Sequence, residues 1–235
     1  MKWLLDQKIE RFKNALMKMG WFAEKMMIRV IESMENRQVA TAKQVVEDDD
    51  VLDEMEVELR QEAAVILGTH APTGFNLRFL ISSVEVANII EKIGDRTRRI
   101  AQILLSFYRE QSANVDPKII RMAKNVAGLL RETLGVMADM RSEAAFEICT
   151  KDDEIDEFFQ DVRSEFANLL NEKPEQLERI LWLLEIAREL EEIADLCTNV
   201  VEAVLYAASG ENYKCFKDRM RPLKGREGVL FDDSD

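Results

Sequence analysis

The stretch Glu91-Lys92-Ile93-Gly94-Asp95 has a counterpart one hundred residues on, Glu191-Glu192-Ile193-Ala194-Asp195. In each, two acids stand four residues apart, a spacing that puts both carboxylates on one helix face. Each also has an upstream partner of the same spacing, Asp49 and Asp53 in the first half, Asp152 and Asp156 in the second. The register is a mirror. Asp53 and Glu91 are symmetric about Pro72, as are Asp49 and Asp95; Asp156 and Glu191 are symmetric about the Lys173–Pro174 bond, as are Asp152 and Asp195. With a hairpin turn at each proline, each half brings its carboxylates to one level. The chain therefore reads as one helical unit of about 100 residues, used twice.

Working outward, apolar residues recur in steps of four and three. Leu5, Ile9, Phe12, Leu16, Met19, Ala23, Met26 and Val30 form the seam of a long first helix ending near Glu35 to Arg37. Val45, Leu52, Met55, Leu59, Ala63 and Ile66 pattern a second helix, stopped by the breaker cluster Gly68-Thr69-His70-Ala71-Pro72-Thr73-Gly74. A third runs from about Asn76 to Glu110. Gln111 to Pro117 is the linker, with Asp116 as N-cap and Pro117 at the first helical position. The fourth helix repeats the first seam from Ile119 through Met140 to Ala144. The fifth carries Ile155, Phe158, Val162, Phe166 and Leu169, and the sixth ends near Ser209 with Gly210 as its C-cap. The expected fold is all-α: two tandem antiparallel three-helix bundles, over residues 1–112 and 113–210, and a tail over 211–235. That tail carries Lys214, Lys217, Arg219, Arg221, Lys224 and Arg226 and ends on Val229-Leu230-Phe231 and acids. It reads as surface-draped, with helix persisting as far as about Met220 and a docking peptide as the alternative.

Composition agrees. The 235 residues are 47% apolar and 33% charged, and nine Gly and four Pro leave little material for turns, so the elements are few and long. A net charge of −13 disfavours nucleic acid and anionic lipid as partners. No apolar run reaches the ~18 residues of a membrane span, and the early Asp6 argues against a signal peptide. The cysteines, Cys149, Cys197 and Cys215, are odd in number and lack a C-x-x-C, and read as buried or half-buried thiols of a reducing cytoplasm rather than a metal or redox set.

Carboxylates brought to one level repel unless they are solvated, protonated or bridged by a cation. The eight candidates are Asp49, Asp53, Glu91 and Asp95 in one site and Asp152, Asp156, Glu191 and Asp195 in the other. An all-oxygen set suits Mg, Ca, Mn or ferric iron, and bridging carboxylates allow more than one ion per site. Zinc is a weaker match without Cys or His among the ligands; the one histidine, His70, falls in the turn. Gly94 inside a helix fits a close helix approach beside the acids. Arg96, Arg98 and Arg99 read as neutralising them. Asp50/Glu54 and Asp153/Glu157 offer the same spacing one position along.

Glu91-Lys92-Ile93-Gly94-Asp95 and Glu191-Glu192-Ile193-Ala194-Asp195, with their Asp-x-x-x-Asp partners and the prolines at the turns, resemble the E(D)xxxD signature of the PhoU family over about residues 5 to 210. The resemblance implies tandem three-helix bundles and a cytoplasmic negative regulator that links the Pst phosphate transporter to a sensor histidine kinase. It also implies metal on the eight acids above, as multinuclear iron clusters, with Mn, Mg, Ca and Zn as alternatives. Two departures fall in the second copy, Ala194 for the usual Gly and Glu192 for a basic residue. A homodimer is a further arrangement left open. The competing readings are a carboxylate-bridged metalloenzyme, such as a phosphohydrolase or iron oxidase, and a scaffold whose acids are merely solvated.

Overall fold

The computed structural model describes residues 2–110, 114–140, 142–216 and 219–223. Six long helices run α1 Lys2–Asn36, α2 Val39–His70, α3 Phe75–Glu110, α4 Pro117–Asp139, α5 Ser142–Glu172 and α6 Leu177–Ser209, and two strands follow, β1 Tyr213–Phe216 and β2 Arg219–Pro222. Gln111, Ser112 and Ala113 of the linker lie outside the described residues, as do Lys217, Lys224, Arg226 and Val229-Leu230-Phe231 of the tail.

The turns close for local reasons. Ala71 takes a left-handed conformation, its N–H returns to Leu67 O at 3.2 Å, and Gly74 follows with φ 60°. Asp116 caps α4 by accepting from Lys118 N at 2.9 Å, with Pro117 at its first position. Gly210 ends α6 at φ 80°. Between α1 and α2, Arg37 turns the chain at φ 52°; its guanidinium donates to Tyr108 O at 2.8 Å and lies 5.0 Å from the Tyr108 ring centre.

The expected seams are the observed core. Phe12, Met19, Ala23, Met26 and Val30 of α1 are fully buried, as are Leu52 of α2, Ile90, Ile93, Ile100 and Leu104 of α3, and Ile119, Ala123 and Val126 of α4. Full burial of each large aliphatic side chain contributes roughly 1.5–3 kcal/mol. Within each half the three helices pack on one another; across the halves, α3 packs on α6 and α1 on α4. The two bundles thus share one continuous core, with α2 and α5 on its outside.

Three expectations need correction. The fourth helix does not reach Ala144: Met140 turns left-handed at φ 52°, and Ala144 belongs to α5. No glycine or proline marks this break. The tail does not continue as helix toward Met220. It folds back as an antiparallel hairpin, Cys215 opposite Met220, with Met220 buried in the core. Gly210 stops α6, and Glu202 accepts from both Lys214 Nζ at 2.7 Å and Cys215 N at 2.8 Å, so the strand has partners that a further helical turn would forgo. Finally, the cysteines are not three thiols. Cys149 of α5 and Cys215 of β1 form a disulfide, their Cα atoms 5.9 Å apart, and Cys197 alone is free and buried.

Gly94 sits where α2 meets α3. A Cβ there would overlap Leu52 Cδ2 and come within 3.6 Å of Asp49 Oδ1. Gly128 of α4 faces open space. Alanine gains ~1 kcal/mol over glycine in a helix, so Gly128→Ala stabilises by about that amount. Gly94→Val instead overpacks a closed interface and destabilises by roughly 1–3 kcal/mol. Urea unfolding of both variants checks the opposite signs.

Candidate metal centres

Each acidic set is built from an outer helix and its inner neighbour. In the first half α2 presents Asp49 and Asp53 to Glu91 and Asp95 of α3. The four convergent acids act on one another: burial and then the charges of Asp95, Asp53 and Asp49 raise Glu91, and burial raises Asp53 with Asp95 next. Asp49 is 3% exposed, and burial pushes its carboxyl up to about 6 even against the opposing Arg98 charge. Arg98 is the resident cation of this set. Its Nε lies 2.8 Å from Asp49 Oδ2, and its NH2 group pairs with Asp95. Asp49 Oδ1 remains buried with no hydrogen-bond partner.

In the second half α5 presents Asp152 and Asp156 to Asp195 of α6, and one carboxylate oxygen from each lies within 4.8 Å of the others. Glu191 stands beside this trio, raised to about 7 by burial and then by Asp195 and Asp156. Asp152 is raised to about 8, by burial first and then by Asp195 and Asp156. Buried Oδ1 atoms of both Asp152 and Asp156 have no hydrogen-bond partner. Two buried oxygens without partners, beside the exposed carboxylate of Asp195, make a donor set that suits a hard cation.

The structure thus gathers both predicted quartets, and not equally. The departures from the family pattern lie in the second copy, yet there the trio closes to 4.8 Å, while in the first Arg98 spans the acids. Of the three arginines read as neutralising the first set, Arg98 is the one that forms ion pairs with it. Arg96 and Arg99 reach to α6 instead, Arg96 to Glu189 at 3.1 Å and Glu192 at 3.6 Å, Arg99 to Glu185 at 2.9 Å and Glu189 at 2.8 Å. They clamp the two halves. Of the alternative register, Asp50 and Glu54 are exposed, as Asp53 is, with Asp50 still acting on Asp49 and Asp53, and Asp153 joins the rim of the second site. His70 hydrogen-bonds Thr69 Oγ1 at 2.6 Å at the end of α2, among none of the acids. Sequence reasoning missed the second site's other walls. Asp152, Asp156 and Asp195 open on a cavity of about 380 Å³ completed by Thr198, Asn199, Glu202, Lys214 and Cys215. The spacing of Asn199 and Glu202 after Asp195 places them on its helix, but nothing in the sequence announces the return of Lys214.

Two measurements follow from these charges. A carboxyl whose folded pKa is raised holds a proton that the unfolded chain releases. Its stabilising contribution is complete below about pH 4 and is lost as pH rises through the folded values, about 6 for Asp49, 7 for Glu191 and 8 for Asp152. Metal-free Asp152→Asn therefore matches the parent near pH 4 and melts on the order of 5 °C higher at pH 9, as calorimetry will show. Arg98→Met strands Asp49. With Arg98 more than a third exposed, the loss is roughly 1–2 kcal/mol at pH 8, recovered by pH 5 once Asp49 is protonated.

Comparison with known proteins agrees with this architecture. The family described as PhoU domain matches residues 16–104 and again 119–204. "Phosphate-specific transport system accessory protein PhoU homolog 2" of Thermotoga maritima is 38% identical over 232 residues, covering 99% of both chains, hairpin included. The Escherichia coli protein "Phosphate-specific transport system accessory protein PhoU" is 24% identical over 209 residues, covering 89% of this chain and 87% of that one. Among solved structures, PhoU from Pseudomonas aeruginosa superposes with a TM-score of 0.82 at 24% identity, covering 87% of this chain and 99% of its own, and that from Streptococcus pneumoniae with 0.83 at 20%, covering 89% and 99%. With two matched repeats, a whole-length relative and one shared bundle architecture, the chain belongs to the PhoU family.

Proposed function

We propose that this protein is a metal-binding, cytoplasmic negative regulator of phosphate uptake and phosphate-starvation signalling, acting between a Pst-type phosphate transporter and a sensor histidine kinase. The relatives' names, as accessory proteins of a phosphate-specific transport system, support the transport side. The observation that carries the metal side is the trio Asp152, Asp156 and Asp195 with its orphaned buried oxygens. These residues, with Glu191, would hold one ion or a small cluster; Asp49, Asp53, Glu91 and Asp95 would hold another in competition with Arg98. Iron, or Mn, Mg or Ca, fits the all-oxygen donors; zinc fits less well. A bound cation cancels the mutual repulsion and so ties helix packing on the outer faces to metal supply. This regulatory role needs no turnover of substrate. No described helix is long and apolar enough to cross a membrane, so association with a transporter would run through protein contacts.

Two readouts test the proposal together. Protein purified without chelator or nickel should carry at least one tightly held ion per chain, lost in the Asp95→Ala, Asp195→Ala double variant. In cells, deleting the protein should derepress a phosphate-starvation reporter under ample phosphate, and the double variant should restore repression only in part. A reporter indifferent to the protein removes the regulatory reading; metal-free parent protein removes the metal reading.

A further inference from the structure

The hairpin that follows α6 is one wall of the second acidic site, and a covalent bond holds it there. Lys214 and Cys215 share the cavity with Asp152, Asp156 and Asp195. Cys215 is joined to Cys149, which precedes Asp152 by three residues on α5 and so lies on the same face. We propose that the Cys149–Cys215 disulfide is a thiol-redox modification site that governs the second acidic site: oxidised, it clamps the hairpin with the Lys214 ammonium at the carboxylate rim; reduced, it frees the hairpin and opens the site to a hard divalent cation. The proposal rests on the metal reading above.

Four observations carry it. The first is the shortness of what is clamped. The hairpin consists of two four-residue strands that, among the described residues, pair only with each other. Such a pair has little stability of its own in water. The second is the kind of anchor that holds it. Among the described residues these include, besides the disulfide, the burial of Met220, the packing of Tyr213 on the core, the bonds from Lys214 Nζ and Cys215 N to Glu202, and the bond from Lys214 Nζ to Asn199 Oδ1 at 3.2 Å. Closing a loop of 66 residues, the disulfide is the one anchor that also constrains the unfolded chain. The third is charge. Lys214 lines the same cavity as Asp152, Asp156 and Asp195 and pairs with Glu202 in its wall, so a cation already stands at the carboxylate rim. Arg98 pairs directly with Asp49 and Asp95 in the first site; Lys214 sits at the rim of the second, on a segment that one reaction releases. The fourth is separation from the remaining thiol. Cys197 is wholly buried, whereas Cys215 is only partly buried, so a reductant meets the disulfide at Cys215 and not the free thiol.

The chemistry balances with a cellular dithiol as reductant. Its thiolate attacks one sulfur, the S–S bond breaks, and the mixed disulfide resolves onto the second thiol of the reductant. Two electrons and two protons end on Cys149 and Cys215, and the dithiol becomes a cyclic disulfide.

The test is Mn2+ binding to the full-length chain, followed by the electron-spin-resonance signal of free Mn2+. An Asp53→Asn, Glu91→Gln background silences the first site and leaves the Arg98–Asp49 pair. Oxidised protein is compared with protein reduced by a dithiol and desalted, the thiols being counted by mass spectrometry. Reduction is expected to tighten Mn2+ binding about threefold to tenfold, the effect of removing one nearby positive charge in partial solvent. Lys214→Met should reproduce that gain in the oxidised state, and its reduction should add nothing. Amide exchange over Tyr213–Phe216 should quicken at least tenfold on reduction. Equal or weaker Mn2+ binding after reduction overturns the redox cover while leaving the metal site standing. Free Cys149 and Cys215 in air-oxidised protein also overturn it. No Mn2+ bound in either state overturns the metal reading, and the cover with it.

Discussion

The packing of α3 on α6 is the constraint from which the rest follows. These inner helices carry the longest apolar faces, and their contact joins the two repeats into one core. Each also carries, one step off its buried seam, the acids that face an outer helix. Burial of the seams holds α2 against α3 and α5 against α6, and so holds carboxylates at separations they would not choose. Hydrophobic area supplies the force, and charge repulsion is the load it bears. Arg96 and Arg99 reinforce the joint. By pairing with Glu185, Glu189 and Glu192 they turn a cluster of like charges along α6 into an inter-repeat clamp.

Two copies of one unit have met that load differently. In the first, an arginine one helical turn beyond Asp95 folds back over Asp49, and Gly94 lets α2 approach closely enough for Leu52 to fill the interface. In the second, Ala194 is fully buried at the corresponding place, and the trio keeps two buried oxygens without hydrogen-bond partners. Its compensating charge comes from outside the repeat, on a hairpin fastened to α5. The repeats therefore share a scaffold and differ in how their acids are balanced.

Most of the fold was legible because it is written in local periodicity. The seams of α1 and α3, the cap at Asp116 and the stop at Gly210 are short-range signals, and each was observed in place. The end of α4 escaped because Met140 adopts a left-handed turn without a glycine to announce it. The hairpin and its disulfide escaped because their causes are distant. Cys149 and Cys215 are 66 residues apart, and only the docking of the tail between α5 and α6 makes them neighbours.

The sequence by itself determined the helices, their doubling and the eight candidate carboxylates, since spacing along a helix translates directly into a shared face. The tertiary structure alone decided which charges meet. It turned Arg98 onto the first acids and Arg96 and Arg99 onto the far repeat, and it brought Lys214 and Cys215 back to the second acids. Arg96 and Arg99, three positions apart, share a face and meet Glu189 of α6, while Arg98, about 100° round from Arg99, turns to the first acids. What lies in each direction depends on the packing of helices far apart in the chain.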